Sequence, residues 1–173
     1  MSDNKPMILV FAGPNGSGKS TITQYFDKVG TYTNADDVVA ATGMSNQEAA
    51  EMVDRMRYAS IEAGEDFTFE TVLSSQYKLD ILRKAKEKGY FIKCVFVLTV
   101  DPNINVARVE ARVASGGHSV EKDTIITRYF KSLKNIHYPI NSISFSSDHS
   151  SLGKIEISSL CLRTIRVGSI ELS

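Results

Sequence analysis

The stretch Met7-Ile8-Leu9-Val10-Phe11-Ala12-Gly13-Pro14-Asn15-Gly16-Ser17-Gly18-Lys19-Ser20 decides the fold of this 173-residue chain. Its first half is a continuous apolar run. That is the signature of a strand covered on both faces, as in a parallel sheet. Its second half, Gly13 to Ser20, fits the pattern G-x-x-x-x-G-K-[ST] in full. Glycines at these places let successive backbone N–H groups turn inward around a phosphate. The start of the following helix adds partial positive charge. Lys19 can reach the β- and γ-phosphates, and the Ser20 hydroxyl can hold Mg²⁺. ATP and Mg²⁺ are therefore the expected ligands. The alternative, a glycine-rich turn with no ligand, does not account for the whole motif in a strand–turn–helix setting.

Outward from this stretch, strand and helix patterns alternate. A helix is expected from about Lys19 to Val29, and a short strand at Thr31–Asn34. Ser45 and Glu48 form a capping box for a helix reaching Ala63, with Ala49, Met52, Val53, Met56 and Ala59 inward. Phe67 to Val72 reads as a strand. Ser75 to Lys88 reads as a helix with Tyr77, Ile81, Leu82 and Ala85 inward, and Phe91 to Val100 as the longest strand. Asp101-Pro102 opens a further helix to about Ser115. Gly116-Gly117 interrupts the chain, and a last helix spans about Val120 to Ile136, with Ile125, Ile126, Tyr129 and Leu133 inward. Such alternation predicts an α/β fold around a parallel sheet. From Asn141 the chain turns serine-rich and β-like. We divide it into a P-loop domain, residues 1–140, with a helical lid over about 104–138, and a divergent tail, residues 141–173.

Composition narrows the function. Twenty Lys+Arg balance twenty Asp+Glu, which argues against a nucleic-acid or membrane-surface binder. The two cysteines, Cys94 and Cys161, form no C-x-x-C pair, so neither structural zinc nor a disulfide framework is expected. With no apolar signal core at the start, the chain reads as cytoplasmic. No N-K-x-D segment marks a GTPase. Ser115-Gly116-Gly117 imitates the signature of an ABC-type ATPase, but no apolar strand ending in Asp-Glu comes after it.

The carboxylates come next. Asn34, Asp36 and Asp37 stand at the end of the second strand, where α/β sheets place ligands. Asp36 is the first choice for a base that takes a proton from a substrate hydroxyl. The competing reading is that these residues only cap the next segment. Glu70, on an otherwise apolar strand, is expected to emerge beside the P-loop, orienting Mg²⁺ through water or holding substrate. Its alternative is a solvent-facing position. Asp101 looks like a Walker B acid but is better read as a helix start. Residues 104–138 carry six cations (Arg108, Arg112, Lys122, Arg128, Lys131, Lys134) against three carboxylates. Arg108 and Arg112 share one helix face. Arginines closing on a transferring phosphoryl group stabilise its developing charge, whereas the plainer reading is a solvated helix face.

Taken in order, Gly13 to Thr21, Asn34-Ala35-Asp36-Asp37, Phe69-Glu70-Thr71, Arg108 to Val113, Gly116 to Val120 and Arg128-Tyr129 to Asn135 resemble the zeta-toxin family of P-loop kinases. The resemblance covers about Ile8 to Ile136. It implies a nucleoside-kinase-like three-layer fold with a mostly parallel five-stranded sheet. It implies ATP-dependent phosphorylation of a sugar hydroxyl on a nucleotide sugar, UDP-N-acetylglucosamine in the family, and an antitoxin protein as partner. Carried over, Gly13, Pro14, Asn15, Gly16, Ser17, Gly18, Lys19, Ser20 and Thr21 bind nucleotide, and Asp36 is the base. Asn34, Glu70, Thr71 and His118 face the acceptor, while Arg108, Arg112 or Arg128 would supply the transfer-stage cations. Val72 departs from the family, standing where relatives often carry a second threonine. Glu121 stands where proline is common. Two other readings remain: an ATP- or antitoxin-binding module with little catalysis, and a kinase of the same fold acting on another hydroxyl compound.

Overall fold

The computed structural model describes residues 5–141, 160–162 and 165–172. Strand β1 (Met7–Ala12) lies inside the sheet, as its unbroken apolar run requires. Ile8, Val10 and Ala12 point to one face and Leu9 and Phe11 to the other, all buried. β1 pairs in parallel with β3 (Phe67–Thr71) on one side and β4 (Phe91–Thr99) on the other. β2 (Thr31–Thr33) extends the sheet in parallel beyond β3.

Helices α3 (Asn46–Ala63) and α4 (Gln76–Glu87) cover one face, where Ile61, Leu79, Ile81 and Leu82 pack on Ile8, Val10, Phe67 and Phe69. On the other face, Ile22 of α1 (Lys19–Thr23) packs on Leu9, Phe11, Val95 and Val97. α5 (Pro102–Ala114) and α6 (Lys122–Asn141) make a smaller core of their own from Val106, Val109 and Ile125. The result is the expected three-layer α/β arrangement. The parallel strands all end at one edge of the sheet, so the loops after Ala12, Thr33, Thr71 and Thr99 meet there.

Several expectations need correcting. The sheet has six strands among the described residues, in the order β2-β3-β1-β4-β6-β5, rather than five. Four are parallel. β6 (Ile165–Leu172) runs antiparallel to β4, and β5 (Leu160–Leu162) antiparallel to β6. An antiparallel strand needs no crossover helix, so strand–helix alternation does not announce it. The serine-rich segment Ser144 to Ser150 lies outside the described residues.

α1 stops at Thr23 rather than Val29. The Thr23 hydroxyl donates to the Lys19 carbonyl at 3.0 Å, and Tyr25 and Phe26 bond back three residues instead of four, tightening the chain into a turn. Phe26 then sets its edge against Phe11, 5.3 Å between centroids. The second strand ends at Thr33, and an unexpected helix α2 (Ala35–Thr42) comes next. On α3 the capping box is present, but Met56 and Ala59 are exposed and Met52 only partly buried; Asp54 and Arg57 are buried in their place. Tyr77 is half exposed rather than inward, as the first turn of α4 runs past the edge of the core. Leu133 and Ile126 pack at the core margins rather than inside. No helix among the described residues is long and apolar enough to cross a membrane.

Candidate active site at the carboxyl edge of the sheet

The loop after β1 approaches its neighbours so closely that only glycine fits at two points. A Cβ on Gly13 would lie 2.1 Å from the Val97 carbonyl oxygen, and one on Gly16 would lie 2.5 Å from that of Asn105. Both have positive φ, 146° and 74°. The loop is held from outside by Asn105 and Arg108 of α5 and Arg128 of α6. The Asn105 amide donates to the Asn15 carbonyl at 2.6 Å, Arg108 donates to the Ser17 carbonyl at 3.4 Å, and Arg128 donates to the Asn15 side chain at 3.3 Å. Thr99, at the end of β4, donates to the Asn105 side chain and accepts at its carbonyl from the Tyr129 hydroxyl at 2.6 Å. Asn105 and Tyr129 thereby tie α5 and α6 to the sheet edge.

Lys19 folds back over the loop, donating to the carbonyls of Gly13 at 2.7 Å and Pro14 at 3.1 Å. Desolvation lowers its pKa from 10.5 to about 8. The carboxylates of Glu70 and Asp36 oppose that shift, and Arg112 adds to it. The Ser17 hydroxyl is buried and has no hydrogen-bond partner. An orphaned donor inside a glycine cradle, with a lysine across its mouth, suits the oxygens of a polyphosphate. The residues present therefore fit a bound nucleotide. α1 has five residues, too few for a sizeable macrodipole. Its contribution is its unpaired first-turn N–H groups.

Glu70 is partly buried at the end of β3. It accepts from Ser20 Oγ at 3.0 Å and from the Tyr32 hydroxyl at 2.8 Å. Facing solvent is thus not its position. A serine hydroxyl that donates its proton to a carboxylate keeps its lone pairs for a cation, so the pair fits a Mg²⁺ ligand and its support. Burial and the Glu70 charge push the Tyr32 phenol well above its ordinary pKa, so it stays protonated as the donor.

Asn34 is the N-cap of α2, its side chain accepting from the Asp36 N–H at 3.1 Å. The capping reading is therefore right for Asn34, yet it leaves the Asp36 carboxylate exposed in the first turn. Asp37 is raised above the ordinary range, first by desolvation and then by Glu70 and Asp36. The charges of Asp36 and Glu70 act both on Lys19 and on Asp37. Asp101 N-caps α5 and accepts from the Asn103 N–H at 2.7 Å, with Pro102 in the first turn.

The remaining candidates separate. Thr71 is buried, and its hydroxyl accepts from the Leu73 N–H at 3.1 Å, shaping a turn in which Leu73 has φ 55°. Its role is to hold the loop after β3. Arg112 donates to the His118 carbonyl at 3.0 Å rather than to the P-loop. His118 itself is exposed, as is Thr21. Of the three arginines, Arg108 and Arg128 reach the loop and Arg112 does not bond to it. Sequence reading missed Tyr32, Asn105 and Arg57. Tyr32 alternates toward the Glu70 face of the neighbouring strand, a signal that period-two alternation carries. Asn105 in an apolar helix face is a weaker one.

The model of the family described as Zeta toxin matches residues 32–143. An uncharacterized protein of Haemophilus influenzae is 30% identical over 128 residues, covering 70% of this chain and 91% of that protein. The chain belongs to the zeta-toxin family. The matched region begins after the P-loop, so the loop and the family match are independent observations. Among solved structures, a chain of the Pnkp1/Rnl/Hen1 RNA repair complex is similar with TM-score 0.63 and 20% identity. This zeta-toxin family chain covers 48% of that chain with 80% of its own length. A proposed kinase of Chloroflexus aurantiacus has TM-score 0.52 and 14% identity, with 68% of this chain matching 72% of it. The fold is that of the P-loop kinases.

Proposed function

We propose that this chain transfers the γ-phosphoryl group of ATP to a sugar hydroxyl, with a UDP-N-acetylhexosamine as acceptor. One observation carries the reading. Glu70 accepts from Ser20 of the P-loop at 3.0 Å and from Tyr32 of β2 at 2.8 Å, so the phosphate loop meets the end of β2, from which Asn34 and Asp36 follow, at one edge of the sheet.

In this reading the loop from Gly13 to Ser20 binds the phosphates and Lys19 leaves the Gly13 and Pro14 carbonyls to meet them. Ser20, oriented by Glu70, would hold Mg²⁺, which supplies charge neutralisation at the phosphates. Asp36 accepts the proton of the acceptor hydroxyl as its oxygen bonds to the γ-phosphorus. The bond from that phosphorus to the β–γ bridging oxygen breaks, and ADP leaves. Arg108 and Arg128 stand beside the loop, ready to offset negative charge on the phosphoryl oxygens. The acceptor class rests on the family resemblance together with the Asn34–Asp36–Glu70 edge.

The test incubates the protein with Mg²⁺, γ-labelled ATP and a panel of acceptors. The panel holds UDP-N-acetylglucosamine, UDP-N-acetylgalactosamine, free hexosamines, nucleosides and a 5′-hydroxyl RNA, the last because one structural neighbour belongs to an RNA repair complex. Label on a UDP-sugar supports the proposal. Label only on another acceptor replaces the substrate, and ATP binding without transfer to any of them replaces the activity.

A further inference from the structure

We propose that Arg57, buried on α3, is a positioning residue that fixes the end of β2 and, through it, the acid Asp36. The inference rests on the reading of Asp36 as the base.

Arg57 is 2% exposed. Burying a guanidinium is costly unless its donors are satisfied. Here each arm has a partner. Nε donates to Thr33 Oγ1 at 2.9 Å, Nη2 to the Thr33 carbonyl at 3.1 Å, and Nη1 to Asp54 Oδ1 at 2.9 Å. The guanidinium lies over the Phe69 ring, 4.4 Å from its centroid. Lys78 of α4 closes on the other Asp54 oxygen. Two of the three bonds therefore go to a single residue, and that residue is the last of β2.

The segment after Thr33 is otherwise held by α2 lying against α3, without a fully buried side chain of its own. Among the described residues β2 is a three-residue edge strand paired on one side only, with β3. Asn34 caps α2, and α2 has no buried residue. That packing leaves the side chains of Asp36 and Asp37 in the first turn exposed, so the turn's entry point is set by the end of β2. The chain of fixed points runs from Arg57 to Thr33, to Asn34, and from the Asn34 side chain to the Asp36 N–H. A lysine at 57 would keep the charge beside Asp54 but lacks the planar fork that holds both Thr33 oxygens.

Three variants separate positioning from plain structural support: Arg57→Lys, Arg57→Met and, as a control, Lys78→Met. Lys78→Met removes a partner of Asp54 without touching Thr33. Each is assayed for thermal stability, ATP affinity, kcat, and amide hydrogen exchange of residues 31–42. Arg57→Lys is expected to fold, to bind ATP within about twofold of the parent, and to lose about tenfold or more in kcat, since small misplacements of a catalytic group cost that much. Exchange should quicken at 33–38 and stay unchanged in β3. Arg57→Met should repeat this more strongly, while Lys78→Met should keep kcat at any loss of stability. The proposal is overturned if kcat falls in all three variants in proportion to stability, or if exchange at 33–38 does not change in Arg57→Lys. Should the parent protein transfer phosphate to no acceptor, the kinase reading falls by itself, and the exchange comparison still supports or overturns the grip of Arg57 on this segment.

Discussion

Ser20 and Glu70 lie 50 positions apart in the chain, yet the Ser20 hydroxyl donates to Glu70 Oε2 at 3.0 Å. The bond links the first turn after the P-loop to the end of a strand in the same sheet. It leaves the serine lone pairs free for a cation while Tyr32 holds the other carboxylate oxygen at 2.8 Å.

Replacing Glu70 with glutamine removes the charge that orients Ser20 and that, in the proposed function, supports Mg²⁺. Hydrogen bonds to charged groups contribute about 1.5–3 kcal/mol. The Mg²⁺ concentration giving half-maximal activity should therefore rise about tenfold or more in Glu70→Gln, with binding of metal-free ATP nearly unchanged. A Mg²⁺ titration of initial rates checks this. An unaltered Mg²⁺ requirement would remove Glu70 from the metal site.

The depressed pKa of Lys19 couples nucleotide binding to protons. In the folded chain Lys19 titrates at about 8 rather than 10.5, first because of burial. A bound polyphosphate favours the charged form, so at a pH somewhat above that value binding should take up part of a proton, and ATP affinity should fall as pH rises further. Calorimetry in two buffers of different ionisation enthalpy measures the uptake. Proton release, or no exchange, would contradict the arrangement. The same shift acts on stability. Between about 8 and 10.5 the unfolded chain holds more protons than the folded one at this site, so the Lys19 contribution to stability rises with pH across that window.

Asp36 is exposed, and only its backbone takes part in the Asn34 cap. Asp36→Asn should therefore fold normally and bind ATP with little change. It should lose about 10²–10⁴-fold in transfer rate, the usual contribution of a general base. Single-turnover transfer measured beside equilibrium ATP binding separates the two. Normal turnover would move the base elsewhere, Asp37 being the other carboxylate on the same turn.

Asp54 is the common acceptor for Arg57 and Lys78, 2% exposed itself. Asp54→Ala leaves a buried guanidinium short of a partner. Breaking such a pair costs about 3–5 kcal/mol, and for a chain of this size each kcal/mol lowers Tm by about 2–4 °C. A thermal melt should show a fall of about 6 °C or more. A melt within about 1 °C of the parent would mean that this charge cluster does little to hold α3 on the sheet.

The sequence by itself determined the three-layer α/β fold, the P-loop and the parallel order of alternation. These depend on local signals: an apolar run buried on both faces, glycines at places where a Cβ would strike backbone, and a capping box whose two bonds lie within four residues. It also placed Glu70 at the end of a strand, because period-two alternation is readable along the chain, whereas Asp36, expected to close the second strand, lies in the first turn of α2. The tertiary structure decided everything that depends on which strands are neighbours. β2 lies beside β3, so Tyr32 reaches Glu70; α3 packs by β2, so Arg57 and Asp54 are buried where a helical pattern favoured Met56 and Ala59. Likewise Arg108 and Arg128 meet the P-loop while Arg112, on the same helix as Arg108, turns to the His118 carbonyl. Polar partners drawn from distant segments leave no period in a sequence, because their satisfaction requires a direction and a distance that only the assembled sheet supplies.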